Sequence, residues 1–379
     1  MPPPRIYLDH NATTPVDPEV LEAMLPFLRE DYGNPSSLHW FGQRARAAVE
    51  EARGLVAALV GAEPSEVVFT GGGSEADNLA LRGVAAKARP PRVGVVCSAI
   101  EHHAVLNTAK ALRDEGRPVA VARAGEDGVL DLDDLAARID DATALVSVML
   151  ANNETGVLQP VAEAARLARA KGALVHCDAV QAAGRVEVDV RRLDVDLLTL
   201  SAHKLYGPKG VGALYVRRGT PMAPLVRGGA QERNRRAGTE NVAGIVGFGV
   251  AASLARRRRE EDAARVSVLR DRLEAHLLGI VGCRRNGEGP RVPNTTNVSF
   301  EGVDAEALLA ALDLEGIAAS TGAACAAGGV EPSHVLRAMG LPPGRVQSSL
   351  RLSLGRSTTD AEVAHAGDVV TAVVARLRR

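Results

Sequence analysis

A lysine and an aspartate, each at the end of a strand-like run, are the residues of this sequence best equipped for chemistry. Lys204 follows the apolar run 197–201, and Asp178 closes the preceding run of the same kind. The chain has 45 lysines and arginines, yet only five of them are lysines. A lysine can lose its proton and form an imine, whereas the guanidinium of arginine stays charged. An imine lysine, with a carboxylate placed to keep a pyridine nitrogen protonated, is typical of enzymes that use pyridoxal 5'-phosphate.

Polar residues follow three other strand-like runs in the same part of the chain. The glycine turn 71–73 comes after the run 67–69 and opens a helix at Ser74. Glycines let backbone N–H groups converge and a helix start carries partial positive charge, so a phosphate group fits there. His102 and Asn153 follow two further runs, where ring stacking or proton transfer suits the first and an oxygen ligand suits the second. A tight turn or a structural hydrogen bond is the alternative interpretation at each position.

Cys325 lies in a stretch of very small residues, 320–329, that is a poor candidate for a helix core. Such a stretch is typical of a loop, so we expect its thiol to be exposed and able to react. The sequence contains no C-x-x-C pair, which argues against a disulfide framework and a structural zinc site. The remaining cysteines stand in apolar surroundings and are expected to be inert packing: Cys97, Cys177 and Cys283.

Composition narrows the class of protein without naming a function. Of the 379 residues 46% are hydrophobic and 24% charged, and the formal net charge is −1. This balance gives no electrostatic case for binding nucleic acid or an anionic membrane. The arginine run 256–259 is followed at once by acidic residues, as on a solvated helix face. No apolar stretch is long enough to span a bilayer and the N-terminus lacks a signal-peptide core, so a reducing cytoplasm is expected.

Helical periodicity alternates with short apolar runs from about residue 40 to 250, which predicts a mostly parallel sheet with helices on both faces. A long helix is predicted over 242–278, and a smaller α+β domain follows it, with strands at 296–300 and 349–354 and a helix at 304–314. The other predicted helices are 42–60, 74–87, 104–115, 131–139 and 161–171. The other predicted strands are 67–69, 92–97, 119–122, 144–150, 173–177, 197–201 and 212–216.

Several long motifs occur in one order along nearly the whole chain. Through them the sequence resembles the cysteine desulfurases of the NifS and IscS type, fold-type I pyridoxal-phosphate enzymes related to class-V aminotransferases. The resemblance implies an α/β large domain over 13–252, with a mostly parallel seven-stranded sheet between helices. It also implies a smaller α+β domain, 1–12 with 253–379, that carries a loop at about 320–334. The motifs are residues 8–14, 33–39, 151–156, 176–181, 201–207, 236–241 and 348–356.

The resemblance assigns roles to individual residues. Lys204 would carry the cofactor imine and then remove the substrate α-proton, His102 would stack on the ring and move protons, and Cys325 would be the nucleophile. Asp178 would pair with the pyridine nitrogen, and Arg351 would bind the substrate carboxylate. The remaining cofactor residues would be Gly73, Ser74, Asn153, Gln181, Ser201, His203 and Thr239, the last reaching the other subunit of a homodimer; Asn34 and Asn153 would join Arg351 at the substrate.

The reaction implied by the resemblance is removal of sulfur from L-cysteine, giving L-alanine and a persulfide on Cys325. The persulfide sulfur would pass to an acceptor protein such as an iron–sulfur scaffold or a thiolation relay. No metal ligand is expected beyond a transient iron–sulfur contact at Cys325. A selenocysteine lyase is the main alternative, because selenium can leave without a thiol. The lysine motif alone also fits an aminotransferase, and a catalytically silent partner-binding protein is a third class.

Overall fold

The computed structural model describes residues 5–322 and 332–378 in full, together with the backbone of 325–326 and 329–330. Within these residues no helix is long and apolar enough to cross a membrane. The strands are β1 (Ile6–Tyr7), β2 (Val67–Thr70), β3 (Gly94–Ser98), β4 (Val119–Ala122), β5 (Thr143–Ser147), β6 (Leu174–Asp178), β7 (Leu197–Ser201), β8 (Gly212–Val216), β9 (Cys283–Arg285), β10 (Thr295–Phe300), β11 (Ile317–Ala318), β12 (Cys325–Ala326), β13 (Gly329–Val330) and β14 (Ser349–Ser353).

The helices alternate with the strands through the first two thirds of the chain. They are α1 (Pro18–Arg29), α2 (Trp40–Leu59), α3 (Gly73–Lys87), α4 (His103–Asp114), α5 (Leu132–Arg138), α6 (Val161–Ala170), α7 (Gln231–Asn234), α8 (Val242–Leu278), α9 (Ala305–Leu314), α10 (His334–Ala338), α11 (Pro343–Gln347) and α12 (Asp360–Leu377).

A seven-stranded sheet in the order β2-β8-β7-β6-β5-β3-β4 forms the centre of the molecule. β8 alone runs against its neighbours, so the predicted mostly parallel sheet is confirmed. Every residue of β3, β5, β7 and β8 is buried, because helices cover both faces. β6 and β7 end side by side, which brings Asp178 and Lys204 to one edge of the sheet.

A second apolar cluster surrounds the antiparallel sheet β14-β10-β9. It takes in Ile6 and Leu8 of the N-terminal segment, together with the second half of α8, α9 and α12. β1 pairs in parallel with β11, so the start of the chain packs against residues more than 300 positions later. α8 joins the two clusters, because its first half packs on the central sheet and its second half on the smaller one.

The strand predicted over 144–150 is shorter in the structure, where β5 ends at Ser147. The reason is a side chain rather than a turn. Val148 and Leu150 still donate to carbonyl groups of β6, but the backbone N–H of Met149 between them donates to the Glu101 carboxyl at 2.7 Å instead of to a neighbouring strand. Propensity could not reveal this competition, because the acceptor comes from the loop after another strand.

Candidate active site

A cavity of about 350 Å³ opens at the carboxyl ends of the central strands. Asp77, Glu154, Ser320, Gly322 and His334 are among its other lining residues. The structure brings most of the predicted site residues together around this cavity: Gly73, Ser74, His102, Asn153, Asp178, Gln181, Ser201, His203, Lys204 and Arg351.

Lys204 ends a single 3₁₀ turn that follows β7. Its Nζ donates to the carbonyl oxygen of Ala12 at 2.7 Å and to that of Asn11. Burial lowers the pKa of the lysine to about 7, with the charges of Arg185 and Arg351 acting in the same direction. The amine is therefore neutral in a large fraction of molecules near neutral pH, as a nucleophilic lysine requires.

Asp178 is buried at the end of β6, and its Oδ1 accepts from the N–H of Val180 at 2.9 Å. Burial raises the pKa of this carboxyl to about 6, while the Val180 hydrogen bond and the charge of Lys204 oppose the rise. Asp77 lies nearby, and burial together with the charge of Asp178 raises its pKa further. Two carboxyl groups thus meet at the cavity floor, and Asp178 is the one that more readily carries the charge.

The first turn of α3 forms the corner predicted for phosphate. Gly72 stands at the N-cap without a side-chain hydrogen bond to the first turn. The next residues, Gly73 and Ser74, line both the main cavity and an adjoining cleft of about 440 Å³, as do Ser201 and His203. The His203 ring bonds the Thr13 hydroxyl at 3.1 Å. An open helix N-terminus with two hydroxyl-bearing neighbours suits an anion.

Three histidines line one wall of the cavity. His102 caps α4, its Nδ1 accepting from the N–H of Ala104 at 3.1 Å. The imidazole is open to the cavity, and desolvation by the surrounding residues, aided by the charge of Lys204, lowers its pKa to about 4. His103 packs against His334 with ring centroids 4.3 Å apart. The His102 ring is therefore neutral, which suits stacking and proton transfer better than anion binding.

Arg351 is buried on β14 with a fork that is only partly occupied. Its Nη1 donates to the carbonyl of Asn153 at 2.8 Å and its Nη2 to Asp9 at 2.7 Å. Its Nε and the Oδ1 of Asn153 are buried without a partner in the described structure. Orphaned polar groups of this kind are costly in a cavity; a bound carboxylate would accept from the arginine, and an O–H or N–H donor of a ligand would satisfy the amide oxygen.

Two predicted residues do not line this cavity, and the side chain of a third is not described. Asn34 stands on an exposed turn, where its Oδ1 accepts from the N–H of Ser36 at 2.9 Å, and it does not line the cavity. Thr239 is exposed and away from the cavity of its own chain. The side chain of Cys325 lies outside the described residues. Its backbone pairs with Val330, and Gly322 and His334, on the two sides of this stretch, both line the cavity.

The prediction missed several carboxyl groups of the cavity wall. Glu154 is 1% exposed, accepts a hydrogen bond from the Ser333 hydroxyl, and has its pKa raised to about 7, chiefly by burial. Asp77 interacts electrostatically with Asp178. Asp9 accepts a hydrogen bond from Arg351. The asparagine-rich motif 151–156 and the motif 8–14 pointed to the right segments. Their spacing gave no sign of which carboxyl would be buried.

The cavity fits pyridoxal 5'-phosphate by the chemistry of its residues. Four groups surround the cavity: a lysine with a pKa of about 7, a buried carboxyl group, an open helix N-terminus and a neutral imidazole. The partnerless Oδ1 of Asn153 adds a polar group that awaits a ligand. Within the described residues no cluster of histidine, cysteine and carboxylate side chains could hold a metal ion.

Comparison with known protein families identifies a match over nearly the whole chain. The family described as Aminotransferase class-V matches residues 6–365. Because the match takes in nearly the whole sequence, the chain belongs to this family.

Within the family the chain is similar to cysteine desulfurases. It is 50% identical over 375 residues to a cysteine desulfurase of Trichormus azollae, covering 98% of this chain and 94% of that protein. It is 48% identical over 376 residues to the cysteine desulfurase NifS of Azotobacter vinelandii, covering 98% and 93%. A solved NifS-like protein superposes with a TM-score of 0.92 at 39% identity, covering 98% of this chain and all of that one (100%). The predicted fold class and the resemblance to the NifS type are thus confirmed.

Proposed function

We propose that the protein is a pyridoxal-phosphate-dependent cysteine desulfurase. The observation that carries the proposal is the convergence of Lys204, Asp178 and Arg351 on one cavity that Gly322 and His334, which flank the Cys325 stretch, also line. The desulfurases to which the chain is about half identical support the same reaction.

The cofactor would be held by residues from several strand ends. Lys204 would join it covalently, Asp178 would face the ring nitrogen, and His102 would stack on the ring. When bound, pyridoxal phosphate supplies an electron-withdrawing ring that acidifies the α-proton of an attached amino acid. Lys204 would accept that proton at Nζ, which its lowered pKa allows. The phosphate would lie against Gly73, Ser74, Ser201 and His203, and Asn153 and Gln181 would bond the phenolic oxygen.

The substrate would be L-cysteine, oriented by its carboxylate on Arg351. The Cys325 thiolate would attack the substrate sulfur, so that an S–S bond forms on Cys325 as the substrate C–S bond breaks. The electron pair of that bond stays with the substrate carbon, which takes up a proton and leaves as L-alanine. The products, alanine and a Cys325 persulfide, together contain the atoms of cysteine and the thiol, and no outside oxidant is needed.

A homodimer and a sulfur acceptor complete the proposed function. Thr239 is exposed and does not line the cavity of its own chain, which supports its contact with the cofactor phosphate of a second subunit. The acceptor would take the persulfide sulfur for iron–sulfur cluster assembly or for a thiolation reaction. Asn34, on its exposed turn, would meet substrate only if that turn approached the cavity of the second subunit.

The assignment of the nucleophile is tested by comparing Cys325→Ser with Cys283→Ser. Cys283 is a partly exposed cysteine on β9, and burial raises the pKa of its thiol to about 12, so it is an inert control. We expect C325S to keep the cofactor absorbance but to lose alanine formation from cysteine by at least about a hundredfold. C283S should match the unaltered protein. Desulfuration that persists in C325S would disprove the assignment.

A further inference from the structure

Arg185 is a cation beside Lys204 that has no carboxylate partner within the described structure. Its Nη1 donates to the backbone oxygen of Gln181 at 2.9 Å and to the side-chain oxygen of the same residue. Its Nη2 donates to the carbonyl of His10 at 3.4 Å. Other arginines that are at least as buried are paired, Arg53 with Glu232 and Arg351 with Asp9. Arg185 therefore keeps a charge that no neighbouring anion cancels.

Arg185 and Lys204 bind consecutive carbonyl groups of one short segment, residues 10–12. Arg185 contacts the His10 oxygen, and Lys204 contacts those of Asn11 and Ala12. Both residues also line one small cavity of about 50 Å³. Gln181, held by Arg185, donates from its Nε2 to the Asn11 oxygen at 3.0 Å. The two cations are thus fixed in position relative to each other by the same stretch of backbone.

The other charges near Lys204 do not replace that of Arg185. The charge of Arg351 also lowers the pKa of Lys204. Its ion-pair partner Asp9, 2.7 Å away, raises that pKa. Asp178 also favours the ammonium, as do the carbonyl acceptors of the lysine. Burial and the charge of Arg185 are therefore the main influences that favour the neutral amine of Lys204.

The ring groups that face the two cations carry no compensating charge. Burial lowers the pKa of His102 and of His203 to about 4. Burial raises the pKa of Tyr206, the phenol nearest Arg185, so that it stays neutral. On the far side of the small cavity, Arg356 and Asp262 form their own ion pair at 2.8 Å.

We propose that Arg185 is a positioning residue whose charge keeps the Lys204 amine in the neutral form that attacks an aldehyde. It also fixes which way the Gln181 amide faces. The inference rests on the proposed function, because it takes Lys204 as the residue that joins the cofactor. Arginine suits this task better than lysine. Two neighbouring lysines could share the loss of one proton, whereas a guanidinium stays charged and obliges Lys204 to give up its own.

The test measures how covalent attachment of pyridoxal phosphate to Lys204 depends on pH. Apoprotein at a series of pH values is mixed with the cofactor, trapped with borohydride, and analysed by intact mass and peptide mapping. The unaltered protein should show a midpoint near 7. Arg185→Gln, which keeps polar contacts without the charge, should move the midpoint up by about one pH unit, a tenfold loss of neutral amine at a given pH below it.

Arg185→Met and Arg185→Lys serve as further variants, and Arg82→Met, which breaks a surface ion pair with Glu115, is the matched control. R185M should shift the midpoint as R185Q does, R185K should shift it less, and R82M should leave it unchanged. A midpoint in folded R185Q and R185M that stays within about 0.2 pH units of the unaltered protein would overturn the inference. A failure of the unaltered protein to attach the cofactor at Lys204 would instead overturn the proposed function.

Discussion

At the scale of single residues, the cavity and the protein interior beside it contain buried carboxyl groups whose pKa values lie close to neutral. Burial raises the pKa of Glu101 to about 8, that of Glu154 to about 7 and that of Asp178 to about 6. A carboxyl whose pKa is raised in the folded state stabilises the protein at low pH. It loses that contribution as the pH rises through its folded pKa. Glu154 is the best of the three for testing this, because no second carboxyl group contributes to its shift, whereas Glu101 and Asp178 interact with other carboxyl groups.

Glu154→Gln should therefore remove the part of the pH dependence of the free energy of unfolding that comes from this carboxyl group. Between pH 5 and pH 8 the unaltered protein pays an ionisation cost at Glu154 that the variant lacks. The free energy of unfolding of E154Q relative to the unaltered protein should thus rise by about 2–3 kcal/mol over that range, measured by urea denaturation.

Glu274→Gln is the control for that experiment. Burial alone would raise the pKa of Glu274, but hydrogen bonds from Arg291, Thr296 and Arg285 outweigh it and lower the pKa to about 2. E274Q should be destabilised at both pH values by a similar amount. A parallel response of E154Q and E274Q to pH would contradict the assignment of a neutral Glu154.

Sequence reasoning located Lys204, Asp178 and Arg351 correctly within the cavity, but not Glu154 or Arg185. Asp178 and Lys204 could be predicted because they end or follow recognisable parallel strands, whose carboxyl ends lie together. Arg351 lies on the antiparallel strand β14 and was expected only from the family resemblance. The protonation of Glu154 could not be predicted, because it comes from burial, and residues distant in the chain take part in that burial, such as Ser333 at 179 positions away. Arg185 was missed for a related reason. Its proposed role depends on the lack of a carboxylate partner among the described residues, and spacing in the sequence does not reveal such a lack.

At the scale of elements, the start of α3 depends on a glycine in a conformation that other residues avoid. Gly72 has a φ of 154° and a ψ of 179°, and a Cβ there would meet nothing within 4 Å. The constraint is therefore the backbone itself and not crowding. This conformation turns the chain from β2 into α3, whose first residues line the cleft.

Gly72→Ala should weaken cofactor binding through this turn. We expect the affinity for pyridoxal phosphate to fall about tenfold or more, because the strain of about 1–3 kcal/mol is relieved by moving the first turn of α3. Fluorescence titration of the apoprotein measures the change. Gly116→Ala is the matched control, since Gly116 has a φ of 87° and equally open surroundings but lies away from the cavity. If both variants lose affinity equally, the turn has no special role.

At the scale of the whole molecule, an aromatic group stands open to solvent at the start of α2. Tyr32 is 73% exposed, Trp40 60% and Phe41 41%, and the Tyr32 and Phe41 rings stack with centroids 5.6 Å apart. Large exposed aromatic surface is typical of an interface. It supports the proposed homodimer, in which Thr239 reaches a second cavity.

Trp40→Glu should accordingly convert the dimer to monomer, because it places a charge in the buried interface. Sedimentation should show the mass falling from twice 39.6 kDa to that value. Desulfuration should fall with it as Thr239 is withdrawn. Val281→Glu replaces an apolar residue that is 87% exposed elsewhere and should leave the dimer intact. A W40E variant that sediments as a dimer would place the interface on another face.

The pairing of β1 with β11 has a consequence for how the protein is made. The carbonyl groups that hold Lys204 and Arg185 belong to residues 10–12, just beyond β1, and β1 is fixed by Ile317 and Ala318. A nascent chain that has emerged from the ribosome only as far as α8 already has its central sheet, but not the partner of its own first strand. Lys204 can thus acquire its final surroundings only after residues 317–318 have been made, more than a hundred positions after the lysine itself, which would delay binding of the proposed cofactor.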